Sequence, residues 1–180
     1  MKLSVFILRF IVISVIGVLS HFLYEWSGAN HYIGYISAVN ESTWEHLKIF
    51  FFPFLYLTVI EVILCRFHKL HRNNPADYLS ARLLGMLNGM TFIVVSFYVF
   101  WGISGKLIDV INISLYFVGV IIALYMENRA YRRPPVFSTY AALLIISFFF
   151  LCFVLFTYHA PELGLFYDLA KHPASLFITL

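Results

Sequence analysis

VFSTYAALLIISFFFLCFVLFTY, residues 136–158, runs for 23 positions without one acidic or basic side chain. At about 1.5 Å of rise per residue, a helix of this length reaches roughly 34 Å, enough for the ~30 Å hydrocarbon core of a bilayer. In lipid the backbone must satisfy its own hydrogen bonds, so an unbroken apolar run of this length reads as a helix and not as a barrel strand. Working outward, the same criterion selects Leu3–Tyr24, His46–Phe67, Tyr78–Gly102 and Leu107–Met126, with Val136–Tyr158 as the fifth span. The expected fold is an all-α polytopic membrane helix bundle of about five transmembrane helices. The whole chain, residues 1–180, forms one integral-membrane domain in this reading, with 159–180 as an outer tail.

Composition agrees. Of the 180 residues, 62% are hydrophobic and 12% charged, with a mean hydropathy of +0.87. Soluble domains are about 45–50% apolar and about 25% charged, and disordered chains are poorer still in apolar residues, so both classes are excluded. A formal charge of +3, not arranged as a stripe, gives no basis for a nucleic-acid partner; the expected partner is membrane lipid. The two cysteines, Cys65 and Cys152, are far apart and show no metal or redox spacing, and both read as buried thiols.

Basic residues orient the spans. Lys2, Arg9, Arg66, Lys69, Arg72, Arg82, Arg129, Arg132 and Arg133 fall on one side, against Lys48, Lys106 and Lys171 on the other. The positive-inside rule therefore places the N-terminus inside and the C-terminus outside. The first span reads as uncleaved, because Arg9 interrupts it and no small-residue cleavage site precedes the polar His21–Gly28 stretch. Arg9 is expected to snorkel to the inner headgroups. Gly85/Gly89 and Gly119/Ala123 are small-residue pairs at helical spacing, the pattern that lets helix backbones approach.

The informative polar region runs from Ser20 to Pro53. His21 and Glu25 share a helical face, Glu41 and Glu45 are again four apart, and His46 follows at once; His159 ends the fifth span. The motifs HFLYEWSG at 21–28, SAVNES at 37–42 and WEHLK at 44–48 resemble a family of small bacterial multi-pass membrane proteins known as a domain of unknown function. The resemblance implies a multi-pass protein of a bacterial cell membrane, of the inner or plasma type, and brings no activity, ligand or cofactor.

Two readings of the cluster stand side by side. As a metal site, His21, His46 and His159 supply imidazoles for a divalent metal such as zinc, and Glu25 or Glu45 acts as catalytic base or carboxylate ligand. A metal there would activate water at the outer leaflet for hydrolysis of a lipid or membrane-embedded substrate. As structure, Ser42 and Glu45 form a capping box, Lys48 pairs with Glu45, Asn40 and Glu41 suit a helix start, Trp26 and Trp44 join the interfacial belt, and a His21–Glu25 hydrogen bond ties helices together. His68 and His71 sit in the basic loop and read as solvated.

Glu61 lies deep in the second span, where charge faces a bundle interior or water. It is either a titrating site of a small transporter or channel, with Asn88 along the path, or an acid joining two helices through Asn88 or Arg66. A third alternative is a non-catalytic membrane partner. Beyond Pro161, Leu163–Lys171 reads as a short interfacial helix with Phe166 and Tyr167 at the headgroups, and Ala174–Leu180 is too short to span.

Overall fold

A computed structural model describes residues 2–68 and 75–168, with side chains described for 2–64 and 78–168. The chain forms α1 (Leu3–Trp26), α2 (His31–Gly34), α3 (Thr43–His68), α4 (Pro75–Ser104), α5 (Asp109–Ala130) and α6 (Thr139–Tyr158), then a 3-10 turn at Gly164–Phe166. Five of these helices, all but α2, are long and apolar enough to cross a membrane. Lys69, Arg72, His71, Lys171 and the 174–180 segment lie outside the described residues, as do the side chains of Cys65, Arg66 and His68.

Helix ends depart from the hydropathy boundaries wherever a polar residue finds an internal partner. The second span starts at Thr43, not His46, because the Ser42 hydroxyl accepts from the Glu45 N–H at 3.3 Å and the buried Glu45 and Lys48 neutralise one another. The fourth span runs on to Ala130, past Met126, because Glu127 is buried and paired. The fifth starts at Thr139: Ser138 caps it through the Ala141 N–H at 3.2 Å, after Pro134-Pro135. No interfacial helix follows it among the described residues. A single 3-10 turn carries Phe166 back onto Trp44, with ring centroids 4.9 Å apart. Trp44 is correspondingly a core anchor packed on Phe153 at 4.5 Å, whereas Trp26 is exposed as the belt reading expects.

One end of the bundle is joined by four charges. Arg9 of α1 turns inward instead of snorkelling. Its guanidinium lies 2.7 Å from Glu61 Oε1 on α3 and 2.9 Å from Glu127 Oε1 on α5. Arg82 of α4 closes the ring, 2.7 Å from Glu61 Oε2 and 3.0 Å from Glu127 Oε2. The Tyr78 hydroxyl also donates to Glu61, and the Arg82 guanidinium lies over the Tyr78 and Phe54 rings. Two cations and two anions thus form a neutral set contributed by four helices. The ring occupies the start of α1 and α4 and the end of α3 and α5, which fixes these helices antiparallel. Asn88 takes no part; its amide donates to the Leu84 carbonyl one turn back at 2.8 Å.

Glycines make room for this ring. A Cβ on Gly85 would lie 2.6 Å from the Ala123 carbonyl oxygen and 3.0 Å from Glu127 Cβ, so the bare backbone leaves the space through which the Glu127 stem passes. Gly89 faces Gly119 and Ala123 in the same way, so the two small-residue pairs pack against each other and bring α4 and α5 together. At the entry to α6, the Ser80 hydroxyl accepts from the Phe137 N–H at 3.0 Å and ties that helix to α4.

Gly85→Ala is expected to lower unfolding stability in detergent by about 1–3 kcal/mol through overpacking. Gly102→Ala, where an added Cβ meets nothing within 4 Å, should leave it unchanged or higher. Glu127→Gln leaves two arginines sharing one carboxylate and should cost about 3–5 kcal/mol. Adding Arg9→Gln restores charge balance, so thermal unfolding of the double variant should show less loss than the two single losses combined.

Candidate metal centre and its pocket

The opposite end of the bundle, about 18 Å along α1 from Arg9, is built by the connector between α1 and α3. Gly28 and Ala29, both at positive φ (70° and 60°), reverse the chain after Trp26. Asn30 then caps α2 through the Tyr32 N–H at 2.9 Å. The loop folds back onto the start of α3 and is clamped there by a buried pair. Lys48 Nζ lies 2.7 Å from Glu45 Oε2 and donates to the Gly34 carbonyl at 2.7 Å and to the Thr157 hydroxyl of α6 at 2.9 Å. Glu45 also accepts from the Val39 N–H at 3.0 Å. Lys48 thus has a partner for each of its three protons, and Glu45 Oε2 accepts twice, as burial demands. The capping box is therefore half realised: Ser42 caps Glu45, but the Ser42 N–H goes to the Asn40 side chain at 2.9 Å, and Glu45 points inward.

With the loop held, three side chains converge. Glu41, exposed just before α3, lies 3.7 Å from His21 Nε2 through one oxygen and 3.4 Å from His46 Nε2 through the other. The two imidazole rings are 5.3 Å apart, and one ligand atom from each of the three residues lies within 4.8 Å of the others. His46 Nδ1 sits 2.9 Å from the Ser42 carbonyl, which can only accept, so Nδ1 donates there and Nε2 is the nitrogen left facing Glu41. A ring nitrogen facing a carboxylate is bridged by a cation, either a proton or a metal. His21 Nδ1 is buried without a hydrogen-bond partner among the described residues. One turn below, Gly17 admits the Ile49 carbonyl, 2.8 Å from where a Cβ would stand, and the Tyr116 hydroxyl, so α1 sits close against α3 and α5.

These three residues line one wall of a pocket of about 740 Å³. Its remaining surface is largely apolar, from Val18, Ile49, Ile93, Phe97 and Phe117, with Asp109 and Asn112 of α5 as further polar groups. The volume lies in the range of small-molecule sites, which are apolar with few polar groups.

Of the residues singled out from sequence, the structure brings His21 and His46 together and leaves three outside the cluster. Glu45 is buried in the Lys48 clamp, Glu25 is exposed one turn from His21, and His159 is exposed beyond the end of α6. Glu61 and Asn88 belong to the other end. Glu41 was read only as a helix-start residue. The signal that distinguishes it is local: Lys48, three positions after Glu45, claims Glu45 and leaves Glu41 as the carboxylate without a nearby cation in sequence.

Residues 2–172 match the Family of unknown function (DUF6512). The chain belongs to that family. No curated protein and no solved structure matches it. Family membership thus carries no activity, and chemistry has to be read from the site itself.

Lys48→Met strands a buried carboxylate and is expected to lower unfolding stability by about 3–5 kcal/mol. Glu41→Gln in metal-free protein, at an exposed position, should stay within about 0.5 kcal/mol of the parent. Chemical or thermal unfolding in detergent separates the clamp from the cluster in this way.

Proposed function

We propose that the chain is a multi-pass membrane protein in which His21, Glu41 and His46 hold a divalent metal such as zinc beside a lipid-accepting pocket, and that this site hydrolyses a lipid or membrane-embedded substrate. The observation that carries the reading is the convergence of two imidazoles and a carboxylate on one wall of an apolar pocket. Zinc ligands bind at about 2.0–2.2 Å, so neighbouring ligand atoms of a tetrahedral ion sit roughly 3.3–3.6 Å apart. The separations of 3.7 and 3.4 Å run to different Glu41 oxygens, and the three ligand atoms lie within 4.8 Å of one another, so an ion would draw the side chains together to reach that spacing. Two histidines and one glutamate leave a fourth position for water, the ligand set of a hydrolytic zinc site.

In this reading the His46–Ser42 hydrogen bond orients one ligand, and the Glu45–Lys48 clamp is a positioning device that presents Glu41. Glu25, one turn from His21, is the carboxylate available for proton transfer, and Asp109 and Asn112 face the polar part of a substrate whose chain lies along Ile93 and Phe97. By the positive-inside rule the site opens toward the outer face of a bacterial inner or plasma membrane. The ion-path alternative has less support, because both Glu61 oxygens are engaged by Arg9, Arg82 and Tyr78, which leaves no vacancy for a passing ion.

Metal content of the purified full-length protein, measured by mass spectrometry after reconstitution with zinc, is the direct test. Near-stoichiometric metal is expected, lost in His21→Ala and His46→Ala, weakened in Glu41→Gln, and retained in His159→Ala. Hydrolysis of ester- and phosphodiester-linked lipids should follow the metal content and stop on chelation. A folded protein that takes up neither zinc, manganese nor iron would overturn the reading.

A further inference from the structure

The end of the bundle that holds the four-charge ring has a second pocket of about 330 Å³, between α4, the end of α5 and the connector to α6. Ser80, Asn88, Met126, Arg129, Arg133 and Val136 are among its lining residues. Arg129 and Arg133 are the charged residues among the described residues that line it. Between Glu127 and Glu162 the sequence contains no Asp or Glu, while Arg129, Arg132 and Arg133 are all exposed. Glu127, the nearest carboxylate in sequence, is committed inward to Arg9 and Arg82. Among the described residues no carboxylate pairs with any of the three arginines, and Arg129 has only a long 3.5 Å contact to the Tyr125 hydroxyl. The ring beneath is neutral and does nothing to offset this charge.

The pocket is also amphipathic in depth. Ser80 and Asn88 are eight residues apart on α4, so the pocket follows about 12 Å of helix. Arg129 and Arg133 are exposed lining residues at and just beyond the end of a membrane-length helix, and Met126 and Val136 give the pocket apolar wall. A free anion uses only the arginines, whereas a phospholipid uses the arginines and the apolar wall. Basic pockets between membrane helices take anionic headgroups for this reason.

We infer that this pocket binds the phosphate group of an anionic membrane phospholipid, with Arg129 and Arg133 on the phosphate and the first methylenes of a chain along Met126 and Val136. The site is independent of the metal centre at the other end. Arg132, exposed in the same connector but not part of the pocket lining, provides an internal control for diffuse surface charge.

The test uses delipidated full-length protein in neutral detergent, titrated with phosphatidylglycerol, phosphatidylcholine or inorganic phosphate and read by native mass spectrometry. Phosphatidylglycerol should bind in preference to phosphatidylcholine, and inorganic phosphate should neither match nor displace it. Arg129→Gln and Arg133→Gln should each weaken phosphatidylglycerol about fivefold, with Arg132→Gln close to the parent. Val136→Trp, at an exposed position, should weaken the lipid by filling the apolar part with no change of charge. Unfolding temperatures should be unaltered by these exposed substitutions. Equal losses at Arg132 and Arg133 would overturn the proposal. So would equal binding of phosphatidylcholine, inorganic phosphate binding as tightly as the lipid, or an unaffected Val136→Trp.

Discussion

Two arginines and two glutamates from four different helices meet away from water, and the packing of the bundle follows from that encounter. An unpaired charge in such a place costs several kcal/mol, so no single member is tolerable alone. Each guanidinium therefore requires both carboxylates, and α1, α3, α4 and α5 must approach together or not at all. The bare faces of Gly85, Gly89 and Gly119 serve this requirement. They let α4 and α5 come close enough for Glu127 to reach across, in a solvent where apolar burial gives helices little reason to associate. Because the set is neutral and each carboxylate meets both arginines, it reads as a fastener for the bundle.

The other end follows a different logic. There the buried Glu45–Lys48 pair reaches the Val39 N–H, the Gly34 carbonyl and the Thr157 hydroxyl and in doing so pins the connector against α3 and α6. What the pinned connector presents, Glu41 with His21 and His46, is looser: two imidazoles stand 3.7 and 3.4 Å from an exposed carboxylate, and one imidazole nitrogen has no partner among the described residues. Saturated polar groups stabilise, whereas unsaturated ones facing a pocket are where a ligand is expected. That contrast, within one short stretch of chain, separates scaffold from site.

Much of the architecture was legible in the linear pattern. Apolar runs such as 136–158 can satisfy their backbone only as helices, and Pro134-Pro135 with Ser138 marks where the last one begins. The pairing of Lys48 with Glu45 and the small-residue faces of α4 and α5 also follow from helical spacing, since both are local. Helix ends were less legible. Glu127 looks like a boundary residue until its two arginines are known, and Trp44 looks like a belt residue until Phe153 and Phe166 close over it.

By itself the sequence determined an all-helical chain with five membrane-length segments, a polar cluster at one set of helix ends, and His21 and His46 as members of it. These depend on hydropathy and on periodicity along one helix, quantities that need no knowledge of neighbours. Tertiary structure alone decided that Arg9 turns inward, that Glu61 meets arginines and not Asn88, that Glu45 is buried, and that Glu41 completes the candidate site while His159 stays outside. The physical reason is that spacing along a helix states which face a side chain occupies, whereas its partner is set by distances between helices. Those distances are fixed by the simultaneous satisfaction of charges far apart in the chain.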